Sequence, residues 1–297
     1  MTKGRRADPL NVLEKLNKGS IRASDIAAQY WCERQMEYNY VYGAKITKEI
    51  KKGREIHGEL ESETNVPIVL MPRSYSDVLY KGLYTSYSAL QALAKNGKTR
   101  EVQVYGSING FKLTGKIDQL DLKDSEVVVM EDKTRNSDRV PSGPQLITHT
   151  VQIMLYKKAL DDIAEGRYTS ENFKRSYRIQ SLKISQEFER QLDALGVDRR
   201  LRGIDAISDS FFGSLQKAGR ISDTLWIRYI NQATGNVIKV HKFKYDEKEM
   251  SGILDFVLKY WRGERESLPV PEEEKWKCNF CAFFGKECKV WWPQQKL

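Results

Sequence analysis

Long apolar runs are missing from this sequence: none of its 297 residues fall in a stretch long enough to cross a membrane as a helix, so no membrane partner is expected. The opening segment, MTKGRRADPLNVLEKL, lacks the apolar centre of a secretory signal, and Asp8 and Glu14 speak against a transit peptide. The expectation is a soluble intracellular protein, cytoplasmic and DNA-associated, or nuclear or mitochondrial in a eukaryote. Cysteine is scarce, with 4 residues, and histidine scarcer, with 3, so a disulfide framework is not expected. Internal repeats and low-complexity linkers are absent, which excludes a solenoid or a string of modules. Acidic residues are outnumbered, 40 against 49 basic ones, and the formal charge of +9 suits a polyanionic partner without implying sequence specificity.

What is present is enough chain for one large domain, or a domain with a satellite lobe. Tyr (15), Trp (6) and Phe (10) are plentiful; most must serve the core, and some could stack on bases. Arg22-Ala23-Ser24-Asp25 reads as a helix start with Ser24 or Asp25 as N-cap, the helix running to about Tyr40. Tyr80 to Lys95 reads as a helix stopped by Asn96-Gly97, Leu146 to Ile163 as an amphipathic helix, and Glu247 to Trp261 as another. Thr224–Ile230 and Val237–Tyr245 alternate around a polar turn and form a hairpin. The cluster Asp198-Arg199-Arg200-Leu201-Arg202 is most simply a solvated face.

The informative stretch runs from Gly115 to Tyr156. Phe111 to Leu122 and Val127 to Lys133 flank the polar turn Lys123-Asp124-Ser125-Glu126, which reads as an antiparallel hairpin. A turn centred between Asp124 and Ser125 sets Asp118 opposite Glu131, near enough for both carboxylates to hold one cation. With a side-chain period of two, Lys133 shares the face of Glu131, and a slip of one residue would separate them. Two acids and a lysine also describe a solvated sheet face. The flanking Val127, Val128, Val129 and Met130 argue for burial, and a buried carboxylate needs a partner or a metal. Gln152 and Tyr156, four apart, share one helix face. His57 sits on a polar helical stretch, where a lone histidine is more often structural than a ligand.

Cys278-x2-Cys281-x6-Cys288 has metal-binding spacing and lacks a fourth ligand; Cys32 is the only remaining cysteine, although taken alone it reads as an ordinary buried thiol. Ligand count alone suggests tetrahedral zinc, and an iron–sulfur cluster uses the same four thiolates.

In this order, Cys32, His57, Asp118, Glu131-x-Lys133, Gln152-x3-Tyr156 and the three late cysteines resemble the PD-(D/E)xK nucleases of the RecB-like branch. They are most similar to its iron–sulfur members, and to the exonuclease V family among these. The likeness spans Ser24 to Cys288; Glu131-Asp132-Lys133-Thr134-Arg135 and the run from Thr148 to Lys157 carry it most strongly. Ile117 stands where the motif name has proline.

The resemblance implies an α/β (α+β) fold of restriction-endonuclease type, a mixed central sheet flanked by helices. It implies a single nuclease domain over residues 1–297, with a core at about 50–163. An iron–sulfur lobe formed by about 24–42 and 264–297 would join the N-terminal helix to the C-terminal tail. His57, Asp118, Glu131 and the Asp132 backbone carbonyl would ligate Mg²⁺ or Mn²⁺, Lys133 would act on the attacking water and the phosphate, and Gln152 and Tyr156 would orient Lys133 and contact the nucleic acid. Cys32, Cys278, Cys281 and Cys288 would hold a 4Fe-4S cluster. The implied function is a metal-dependent exonuclease on single-stranded DNA in repair or replication, monomeric, with a single-strand DNA-binding protein as a candidate partner. The alternatives are a CRISPR adaptation nuclease, which trims DNA before integration and usually has a shorter chain, and a non-catalytic nucleic-acid-binding protein with a Cys₄ zinc site.

Overall fold

A computed structural model describes residues 10–290, and these divide into two compact units. One comprises residues up to 50, 141–152 and from 246 onward; the other comprises 51–140 and 153–245. None of the described helices is long and apolar enough to cross a membrane.

The first unit holds α1 (Leu10–Lys15), a two-residue strand β1 (Ile21–Arg22) and α2 (Ala23–Tyr38). Helix α2 starts earlier than expected. Arg22 is the N-cap, and its amide donates to Asp25 Oδ2 at 2.8 Å, so Asp25 closes a capping box from inside the first turn. The helix is also broken at Cys32, whose φ of −166° and ψ of 112° are extended. No proline or glycine announces this break, which explains why periodicity does not reveal it.

In the second unit, α3 (Lys48–Thr64, entering from the first) and α4 (Tyr75–Asn96) precede the sheet. Ser74 caps α4, and Gly97, at φ 72°, ends it in the left-handed conformation that lacks a Cβ penalty, as its sequence position suggests. Strands β2 (Lys98–Ile108), β3 (Phe111–Lys123) and β4 (Glu126–Arg135) form an antiparallel meander. Both of its turns are two-residue loops with positive φ throughout, Asn109 (46°) and Gly110 (87°), then Asp124 (50°) and Ser125 (65°). This primed turn geometry matches the right-handed strand twist. The β3–β4 register runs Lys123↔Glu126 to Gln119↔Met130, as the turn position predicts.

After β4 the chain passes through α5 (Pro144–Ala164), α6 (Ser170–Tyr177), α7 (Gln186–Ala194) and α8 (Ile204–Lys217). It returns through the short β5 (Arg220–Ile221) to β6 (Thr224–Asn231), both parallel to β4, a pairing that requires a long crossover. Strand β7 (Val237–Lys244) closes the second hairpin against β6, and α9 (Glu247–Trp261) follows in the first unit. The result is a mixed sheet with helices packed on it, including α4 on β2, in keeping with the expected fold class. The central strand β4 is buried from Val127 through Asp132, which is why it reads as a continuous apolar run ending in charge. Tyr105, Phe173, Tyr177, Phe211 and Phe212 pack ring against ring between the sheet and α6 and α8, so the aromatic wealth is largely core. Arg200 pairs with Asp198 at 2.7 Å and Arg202 with Asp193, a solvated ion-paired face.

Candidate active site and cysteine cavity

Asp118 is the middle residue of the site. Gln119↔Met130 is the last pair of the β3–β4 ladder, so the next position sets Asp118 against Glu131. On the other side, Arg100↔Gln119 and Val102↔Ile117 bracket Asp118 and Glu101. Three carboxylates thus lie in a row across β2, β3 and β4. The Asp132 amide donates to Asp118 Oδ2 at 2.7 Å, and Lys133 Nζ donates to Glu131 Oε1 at 2.7 Å.

From α3, His57 Nδ1 reaches to 3.5 Å from Asp118 Oδ1 and 3.7 Å from Glu101 Oε1. Among the described residues, His57, Glu101 and Asp118 are the one group of three or more metal-ligating side chains whose ligand atoms all lie within 4.8 Å of one another. Glu101 was not among the residues expected from sequence. The signal was available: a turn centred on Asn109-Gly110 pairs Glu101 with Asp118 by the same arithmetic that pairs Asp118 with Glu131.

The electrostatics are those of a site short of positive charge. Burial disfavours the His57 cation, yet the Asp118 and Glu101 carboxylates lift its pKa to about 10. Burial and the neighbouring Asp118 charge push Glu131 up to about 8, against the pull of Lys133. Burial opposes the Lys133 charge, but Glu131 and Asp118 hold its pKa above the ordinary lysine value. Burial would raise Glu101 as well, but His57 and Lys116 keep it below the ordinary carboxylate value.

The Asp132 side chain turns away from this row. Its Oδ2 accepts from Arg100 Nη2 at 2.6 Å and its Oδ1 from Arg228 Nε at 2.8 Å, while Arg100 Nη1 donates to Gln119 Oε1 at 2.6 Å. Only the backbone of Asp132 is therefore free to serve the acidic row. Tyr156 is buried, and its ring packs on Gly115, where a Cβ would lie 2.5 Å from ring carbon Cε1. Gln152 precedes it by one turn on α5.

The four cysteines converge in the first unit. Together with Trp31, Tyr38, Pro269, Val270, Lys277, Phe283 and others, they line a single cavity. The break in α2 puts Cys32 at the start of a fresh helical segment, where its Sγ accepts from the Gln35 amide at 3.4 Å. The next residue, Glu33, accepts from the Leu268 amide at 2.7 Å and pairs with Arg265, fastening this part of α2 to the tail. Burial raises the Cys32 thiol pKa, and burial with the charges of the other three cysteines pushes Cys278 up to about 11. No three of the sulfurs fall within the 4.8 Å mutual spacing found at His57.

The family model described as exonuclease V, a 5′ deoxyribonuclease, matches residues 8–127, 121–212 and 203–292. The chain belongs to the exonuclease V family. Exonuclease V of Danio rerio is 27% identical over 288 residues, covering 91% of this chain and 70% of its own. A second relative, the mitochondrial exonuclease V of Candida dubliniensis, is 30% identical over 90 residues, which are 30% of this chain and 14% of that one. The solved structure of SSO0001 aligns over 92% of this chain and 90% of its own at 14% identity and a TM-score of 0.37, a likeness too loose to add to the fold described above. An exonuclease V is a DNA exonuclease, and that is the enzyme class of this chain.

Proposed function

We propose that this exonuclease V is a metal-dependent 5′ exonuclease of single-stranded DNA, acting as a monomer in repair or replication and meeting its substrate with a single-strand DNA-binding protein. The observation that carries the reading is the position of Asp118, flanked by Glu101 and Glu131 with His57 and Lys133 at either side. The 5′ direction follows the description of the family, and the localisation would be wherever its DNA is, mitochondria included.

His57, Asp118, Glu131 and the Asp132 carbonyl would hold Mg²⁺ or Mn²⁺. Hard oxygen ligands suit either ion, and one imidazole favours Mn²⁺ somewhat. Of these ligands, His57 and Asp118 present atoms within 4.8 Å of each other, with Glu101 as a third in the same group, while Glu131 is paired with Lys133 beside them. A divalent cation bound there supplies a lowered water pKa and charge neutralisation at the scissile phosphate. Lys133, fixed by Glu131, keeps a positive charge where the phosphate gains negative charge and positions the attacking water. Gln152 and Tyr156 would orient Lys133 and contact the DNA backbone.

Cys32, Cys278, Cys281 and Cys288 would hold a structural 4Fe-4S cluster. A largely apolar cavity that raises thiol pKa values needs a metal to stabilise its thiolates, and the Gln35 amide already points at one of them. Tetrahedral zinc, with Zn–S near about 2.3 Å, draws its sulfurs to roughly 3.8 Å from one another. The proposed cluster instead binds each thiolate through a different iron.

Oligonucleotides labelled at either end, with a circular control, test the activity. The expected result is degradation from the 5′ end in Mg²⁺ or Mn²⁺, with the circle spared and both Asp118→Ala and Lys133→Ala inactive. Cleavage that survives both substitutions would remove the assignment. Anaerobic purification should yield a brown protein with iron and sulfide; stoichiometric zinc instead would restore the zinc reading.

A further inference from the structure

We infer that Lys277 is the positioning residue of the cysteine cavity: it holds Cys32 and Cys278 in one frame and supplies a buried positive charge to the centre they bind. This rests on the reading above that the four thiols hold a metal, and it is the same for a 4Fe-4S cluster and for zinc.

Lys277 immediately precedes Cys278, lines the cavity and is only 1% exposed, a setting in which a charged side chain needs specific partners. Those partners come from α2, at the other end of the sequence. In an unbroken helix the Arg34 amide would return to the Tyr30 carbonyl and the Gln35 amide to that of Trp31. The break at Cys32 redirects both: the Arg34 amide donates to the Leu268 carbonyl at 3.0 Å, and the Gln35 amide to Cys32 Sγ at 3.4 Å. Lys277 Nζ serves the two acceptors, donating to Trp31 O at 3.0 Å and to Tyr30 O at 3.5 Å, and it lies 4.8 Å from the centre of the Trp31 ring. An ammonium thus caps the first half of α2, as cations do at helix C-termini. The capped Trp31 carbonyl is next to Cys32 and the capping lysine next to Cys278, so one side chain ties both sulfur-bearing segments together.

Packing alone does not call for a cation here. An apolar side chain of similar length fills such a space without the desolvation cost of a buried charge. Glu274 accepts from Nζ as well, but its side chain is 27% exposed against 1% for the lysine, so water screens the carboxylate more than the ammonium. The wall is left with a positive potential. Four thiolates around zinc or around a 4Fe-4S core carry an excess of about two negative charges, which a largely apolar cavity cannot solvate. Lys277 offsets that excess from inside the wall.

The test compares Lys277→Met, Lys277→Arg and Glu274→Gln in the full-length protein, loaded with metal under anaerobic conditions. Release of metal to a chelator is timed, and where the visible spectrum shows a cluster its midpoint potential is titrated. Lys277→Met should release metal about 10- to 100-fold faster, the usual effect of losing a partner just outside a ligand set. Its potential should move downward, because an added electron meets less positive charge. Lys277→Arg should recover most of both. Glu274→Gln removes the counter-charge but keeps the ammonium, so it should hold metal at least as long as the wild type and move the potential upward. Lost packing does not produce opposite responses in two adjoining side chains, and if Lys277→Met fails to fold, the Glu274→Gln response still decides. Unchanged release and potential in Lys277→Met, or faster release from Glu274→Gln, would overturn the proposal while leaving the metal reading intact. A wild type that takes up no metal would remove that reading and this proposal together.

Discussion

The backbone amide of Asp132 donates to Asp118 Oδ2 at 2.7 Å, while the Asp132 carboxylate points away to Arg100 and Arg228. One residue therefore aims the central acid of the site with its main chain and locks that main chain with its side chain. The charges beneath are nearly dry, with Arg100 and Asp132 each 1% exposed. Asp132→Asn should cost about 3–5 kcal/mol, because it leaves two guanidiniums without a buried counter-charge. Urea unfolding measures this, and Mn²⁺ affinity should fall with it. A variant of unchanged stability would mean that the network contributes nothing to holding β4.

The packing of Tyr156 on Gly115 makes a second prediction. A Cβ at Gly115 would lie 2.5 Å from one ring carbon, closer than real contacts allow. Gly115→Ala should lower stability by about 1–3 kcal/mol, as overpacking does, and Tyr156→Ala in the same chain should recover part of that loss. Strict additivity in the double-mutant cycle would disprove the contact.

Cation binding should depend steeply on pH. Without metal, Glu131 keeps its proton up to about pH 8 and His57 up to about pH 10. Both must lose it to become ligands. Below about pH 8 binding therefore displaces two protons, and affinity rises by up to about a hundredfold per pH unit; between about 8 and 10 it displaces one, and the rise is about tenfold. Calorimetry in buffers of different ionisation enthalpy counts the released protons. Affinity indifferent to pH from 6 to 8 would contradict the burial argument for Glu131.

Cys32→Ser should bleach the purified protein and lower its melting temperature, since metal bound only by the folded state adds to folding stability. Gln35→Pro, which deletes the amide that donates to Cys32 Sγ, should weaken cluster retention while leaving all four thiols in place. A colourless but equally stable Cys32→Ser protein would argue that the cavity has no structural metal.

Much of the site could be read from the sequence because turn position fixes hairpin register. Asp124-Ser125 aligned Asp118 with Glu131, and alternation then put Lys133 beside Glu131. Glu101 escaped because its charge was absorbed into an apparently ordinary strand, and its left-handed backbone has no sequence signature. The break at Cys32 escaped for a similar reason, since a helix whose Glu33 is held by the distant Leu268 amide and Arg265 keeps its helical composition. The Arg100–Asp132–Arg228 network was invisible because Arg228 lies on β6, which reaches the meander carrying Arg100 and Asp132 only through the long crossover.

The cysteine cavity also constrains how the protein can be made. Cys278 follows Cys32 by 246 positions (278 − 32), a delay of roughly ten seconds to a minute between them at ordinary elongation rates. On the proposed cluster reading, four-thiolate ligation must therefore wait until synthesis has passed Cys288.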